Sequence, residues 1–99
     1  MAEVVWTETA LNALDAIADY IALDNHEAAC DLIRCVFKKV ELLADNPQMG
    51  NTPKELKNTA YRRLVIKPVY VYYRTDGEQV IIIHVERNER DFRKSMLSK

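Results

Sequence analysis

The apolar residues of this chain change period part-way along, and that change restricts the fold more than any other feature. From Thr7 to Ala44 they recur every three or four residues, whereas from Tyr61 to Arg87 they come in β-branched and aromatic runs. The first stretch is helical. Ala10, Leu11, Leu14, Ile17, Ala18 and Ile21 line one side of a helix of about four turns, with Thr7 as its cap and Glu8 in the first turn, where a negative charge is favoured. Ala29, Leu32, Ile33, Val36, Phe37, Val40, Leu43 and Ala44 form a second stripe, introduced by Asp24 or Asn25 as cap, with Glu27 in the capping-box position after Asp24. So short a connection makes the two helices an antiparallel hairpin.

The remaining segments read as strands. Ala2 to Trp6 is a short strand holding Val4, Val5 and Trp6. Residues 45–57 carry Asn46, Pro47, Gly50, Asn51 and Pro53, turn chemistry without period, and form a loop. Tyr61 to Ile66, Val69 to Arg74 and Glu78 to Arg87 follow as three strands, joined through Lys67-Pro68 and through Thr75-Asp76-Gly77, where Asp-Gly is a strong hairpin signal. They form an antiparallel meander. After Asp91, a segment with Phe92, Met96 and Leu97 is expected to make one or two helical turns. The order β-α-α-β-β-β predicts an α+β fold with the two-helix hairpin packed on one face of an antiparallel sheet.

Ninety-nine residues build one core, so residues 1–99 are expected to be a single domain. With 48% apolar and 29% charged residues, two glycines and three prolines, the composition excludes a disordered or fibrous chain. No apolar run approaches the ~20 residues of a membrane span, Val80 to Ile83 being four residues long, and the N-terminus lacks the features of a signal peptide. A cytoplasmic protein with no membrane partner is expected. Cys30 and Cys35 stand five apart, on different faces of a helix, which disfavours a disulfide. His26 and His84 are the only histidines, and no third or fourth soft ligand lies at metal spacing. No phosphate-binding glycine loop or metalloprotease motif occurs, so neither metal nor cofactor is expected.

Charge divides the chain. Residues 1–45 hold three basic side chains against nine acidic ones, a net of −6, while residues 46–99 hold eleven against six, a net of +5. A surface made by the second half would attract an acidic partner. Arg62, Arg63, Arg87, Arg90 and Arg93 stand out, and the meander is expected to bring the start of its first strand and the end of its last to one end of the sheet, so that these arginines converge as a site for phosphate or carboxylate. Alternation also predicts two apolar sheet faces: Tyr70 and Tyr72 oppose Val69, Val71 and Tyr73, while Ile81, Ile83 and Val85 oppose Val80 and Ile82. The face away from the helices would then need a cover, the C-terminal segment or a partner. On the same alternation, Arg62 shares the face of Leu64 and Ile66, and Arg63 takes the other.

Val5-Trp6-Thr7 before an Ala/Leu-rich helix, Asn46-Pro47 and Gly50 after the second helix, Tyr61-Arg62-Arg63-Leu64-Val65, Pro68, Val71-x-Tyr73-Arg74, and Val80-x-Ile82-x-x-Val85 running to Arg90-Asp91 together resemble the RelE/ParE toxin superfamily. The likeness is strongest to its ParE branch. It implies the toxin of a type II toxin-antitoxin, or plasmid stabilisation, module, with a cognate antitoxin that folds on binding as its partner. ParE-like toxins poison DNA gyrase without catalysis of their own, whereas RelE-like toxins are ribosome-dependent endoribonucleases that cut mRNA. Where many members end the last strand in histidine this chain has Arg87, and no tyrosine follows Tyr73. Arginine is a good phosphate clamp and a poor proton carrier, which favours gyrase and leaves the nuclease as the alternative, with Glu86 or Glu89 as its base. The expected target-binding residues are Arg62, Arg63, Arg87, Arg90 and Arg93, with no catalytic residue.

Overall fold

The computed structural model describes residues 2–88. Strand β1, Glu3–Trp6, leads directly into helix α1, Glu8–Ala22. Thr7 makes that junction: its Oγ1 accepts from the Ala10 N–H at 3.1 Å, capping the helix, and donates to the Ile82 carbonyl at 2.8 Å, tying the cap to the sheet. Helix α2, His26–Glu41, is capped by Asn25, whose Oδ1 accepts from Ala28 N–H at 3.0 Å. Of the two sequence candidates for this cap, Asn25 is therefore the one used. Short 3-10 turns, Leu42–Ala44 and Lys54–Leu56, punctuate the crossing to strands β2, Tyr61–Ile66, β3, Val69–Thr75, and β4, Gln79–Arg87. Gly77, at φ +81°, supplies the left-handed residue of the β3–β4 hairpin.

The strands lie in the order β1-β4-β3-β2. The meander β2–β4 is antiparallel as its sequence predicts, but β1 pairs parallel with β4, Val4 opposite Val80 and Trp6 opposite Ile82, so the sheet is mixed. Both helices cover one face. Ala10, Leu14 and Ile17 of α1 and Leu32, Val36 and Val40 of α2 close on Leu64, Val71, Tyr73, Val80, Ile82 and Val85. Trp6 and Phe37 meet at the side of this core with ring centroids 4.8 Å apart.

Val85 corrects the expected alternation. Tyr72 pairs with His84 but Tyr73 pairs with Ile82, so Ile83 is an extra residue, a β-bulge. One extra residue inverts everything after it, and Val85 turns inward, 1% exposed. The second face is consequently not uniformly apolar. Among the described residues, no helix is long and apolar enough to cross a membrane. The expected C-terminal helical turns, with Phe92, Met96 and Leu97, lie outside the described residues, as do Glu89, Arg90 and Arg93.

Candidate target-binding surface

The register of the meander lays out the face that the helices leave open. Directly opposed residues of neighbouring strands share a face, which places Arg63, Tyr72 and His84 in one row across β2, β3 and β4, and Val65, Tyr70 and Glu86 in the next. Arg74, flanked by Tyr61 and Ile81, begins the same surface. Two tyrosines form the middle column. Their rings meet edge to face with centroids 6.5 Å apart, and His84 stacks on Tyr72 at 6.4 Å with an interplanar angle of 22°. The Arg63 guanidinium lies 4.2 Å from the Tyr70 centroid, a cation–π contact. Opposite it, the Tyr72 hydroxyl donates to Glu86 Oε2 at 2.9 Å.

Burial and this bond to the Glu86 carboxylate together hold the Tyr72 hydroxyl above the ordinary phenol value, against the pull of Arg63. Arg63 itself is held rigidly by its backbone: its N–H donates to the Asn51 carbonyl at 2.7 Å, and its carbonyl accepts from Asn51 N–H at 2.9 Å. That bridge covers part of the outer edge of β2, where an open edge would invite pairing. The Arg63 Nε is buried and has no hydrogen-bond partner.

The other expected site arginines lie elsewhere. Arg62 faces the helices, as alternation predicts, and is occupied by the loop, donating to the Gly50 carbonyl at 2.8 Å and to Gln48 Oε1. Arg87 pairs in register with Val69, which opposes Ile66 at the far end of β2, and its guanidinium lies 5.9 Å from the Tyr20 ring of α1. The expected convergence of Arg62, Arg63 and Arg87 is therefore not found. The first and third strands of a meander run the same way, so the start of one and the end of the other stand at opposite ends of the sheet.

Sequence reasoning missed the Arg63–Tyr72–His84–Glu86 grouping, although a signal for it existed. Tyr70-x-Tyr72 and His84-x-Glu86 lie in two strands of one hairpin, and only the unforeseen bulge at Ile83 brings His84 level with Tyr72. What the surface offers chemically is a guanidinium held over a tyrosine ring, a second aromatic ring, a carboxylate and an imidazole, with Arg74 at the start of the same face.

Comparison with known proteins gives this surface its context. Residues 4–92 match the family described as ParE toxin of the type II toxin-antitoxin system parDE. Toxin RelE2 of Caulobacter vibrioides is 37% identical over 89 residues, covering 88% of this chain and 92% of the relative. The putative toxin Y4kP of Sinorhizobium fredii is 32% identical over 84 residues, covering 83% and 86%. A chain of the chromosomal ParDE toxin-antitoxin system of P. aeruginosa superposes with a TM-score of 0.72 at 27% identity, covering 88% of this chain and 96% of that one. A chain of the RelBE2 toxin-antitoxin complex of Mycobacterium tuberculosis shares the fold, with a TM-score of 0.58 at 19% identity over 87% of this chain and 96% of its own. On the span of the family match and the identity to these toxins, the chain belongs to the ParE toxin family, within the RelE/ParE superfamily of type II toxin-antitoxin toxins.

Proposed function

We propose that the chain is a growth-arresting toxin held inactive by a cognate antitoxin, and that once released it acts in the cytoplasm by binding DNA gyrase through the open face of the sheet. The match to the ParE family over residues 4–92 carries this reading. Site chemistry agrees with it. A nuclease that stabilises charge on a scissile phosphate draws on several converging cations. Here Arg62 is committed to the loop and Arg87 stands beside Tyr20, so neither joins Arg63. The antitoxin partner is supported by the solved relatives, which come from a ParDE toxin-antitoxin system and a RelBE2 complex.

The alternative, ribosome-dependent cleavage of mRNA, is favoured by one observation: Tyr72, His84 and Glu86 gather groups able to carry a proton beside Arg63. Purified toxin is to be tested against gyrase acting on supercoiled plasmid, and in parallel against translating ribosomes. Accumulation of cleaved plasmid with intact mRNA is the expected result. Cuts in mRNA at the ribosomal A site, with gyrase unaffected, would overturn the gyrase reading in favour of the nuclease.

A further inference from the structure

His26 and Cys30 stand one turn apart at the start of α2, on the same side of the helix. Their ligating atoms are close: Cys30 Sγ lies 3.8 Å from His26 Nδ1. Two donors on one tetrahedral zinc ion, at ~2.3 Å for sulfur and ~2.0–2.1 Å for nitrogen, stand about 3.6 Å apart. A movement of a few tenths of an ångström therefore brings this pair to the bite of a single ion. The turn that carries them is already fixed, because Asn25 Oδ1 accepts from Ala28 N–H at 3.0 Å and caps the helix just before it. His26 is exposed and Cys30 half-buried at the tip of the helical hairpin, so an ion reaches them without any opening of the core.

The donor set selects the ion. A thiolate beside an imidazole suits zinc, whereas calcium and magnesium take oxygen ligands. The positive end of the helix opposes a cation here, but Glu27 in the same turn counters it, and Arg34, one turn beyond Cys30, is paired with Asp31. Cys35 offers a contrast within the same helix: it packs against the core and has no histidine within a turn of it. Among the described residues no third His, Cys, Asp or Glu completes a metal-holding group, so the remaining positions on the ion must be filled from outside. Counting ligands along the sequence misses such a pair, because it supplies only half of a tetrahedral set.

We infer that His26 Nδ1 and Cys30 Sγ chelate a zinc ion whose other positions are filled by water or by the same two side chains of a second copy of this chain. A second copy completes the two-cysteine, two-histidine set of structural zinc sites. On binding, the Cys30 S–H bond breaks and its proton leaves to the buffer, while the sulfur and the Nδ1 lone pair form the two bonds to zinc; nothing is oxidised or reduced. The pair lies in the helical layer and not on the open face of the sheet, so the inference goes beyond the proposed target and does not depend on it.

Calorimetric titration of the untagged full-length chain with zinc chloride, freed of antitoxin and with its thiols kept reduced, tests this. Parallel titration with cobalt chloride reads the ligands by absorption. Micromolar zinc binding with release of a proton is expected, together with a thiolate-to-cobalt charge-transfer band in the near ultraviolet. His26→Ala and Cys30→Ser, both at the helix surface, should each weaken binding tenfold or more. Cys35→Ser should bind as the parent does. Zinc should also raise the melting temperature of the parent and leave that of Cys30→Ser unchanged. One zinc per chain at unchanged mass identifies water as the source of the other donors, and one zinc per two chains with doubled mass identifies the second copy. Binding that survives either His26→Ala or Cys30→Ser undiminished, an equal loss in Cys35→Ser, or no saturable binding of either metal overturns the inference.

Discussion

Tyr73 is fully enclosed, and its hydroxyl makes two bonds at the back of the core. It accepts from Gly50 N–H at 2.8 Å and donates to the Pro47 carbonyl at 2.9 Å, fastening the 46–51 loop to β3. Gly50 has no room for a side chain there, since a Cβ would stand 2.6 Å from that hydroxyl and 2.9 Å from the Arg63 carbonyl. Tyr73→Phe strands both loop groups, and a fall in unfolding free energy of about 1–3 kcal/mol is expected in urea titration. Alkali should act on the same residue. Burial holds the Tyr73 hydroxyl above its ordinary value of 10.0, despite the opposing Gly50 bond and Arg62 charge. Since the unfolded chain ionises at the ordinary value, this contribution is whole below about pH 10 and is lost as pH rises through the folded value. Melting temperature should therefore fall above pH 10, by less in Tyr73→Phe than in the parent. The side from which Arg62 would point was legible from alternation with Leu64 and Ile66. Its partners were not, because Gln48 and Gly50 sit in an irregular loop with no period to read.

At the scale of elements, Thr7 and Ile83 govern how helix and strand meet. Thr7→Ala removes a helix cap and a bond to the Ile82 carbonyl together, and a loss of about 1–2 kcal/mol is expected by chemical denaturation. Ile83 decides which side chains of β4 face inward. On strict alternation from Val80 and Ile82, residue 85 would point outward, whereas Val85 is buried and Ile83 only partly so. Val85→Ser should consequently destabilise by about 2–4 kcal/mol and Ile83→Ser by clearly less, with comparable losses speaking against the bulge. The helical hairpin was readable because its stripes persist over four turns, and the three late strands because β-branched runs are separated by turn residues. A bulge adds one residue without a compositional mark. The parallel pairing of β1 was likewise hidden, since its partner lies about 75 residues away and a four-residue strand carries no signal of direction.

On the scale of the whole molecule, the two halves of opposite net charge fall mostly into different layers. The acidic half supplies both helices and the edge strand β1, and the basic half supplies the other three strands, so among the described residues a target approaching the open face meets Arg63 and Arg74 and not the acidic helices. This separates the arginines by role. Arg63→Ala removes the cation held over Tyr70, and one charge-assisted contact at a desolvated interface contributes about 1.5–3 kcal/mol, so target binding should weaken roughly tenfold or more. Arg62→Ala instead unties the loop at Gly50 and should lower the melting temperature first, with any loss of toxicity following from that. Arg87 lies on the α1 side of the sheet near Tyr20, away from the Tyr70 and Tyr72 rings, and Arg87→Ala should arrest growth as the parent does. Induced expression of the three variants without antitoxin, with melting curves on the purified chains, distinguishes these roles. A folded Arg63→Ala that still arrests growth fully, beside a folded Arg87→Ala that does not, would move the target from the open face to the end of β4.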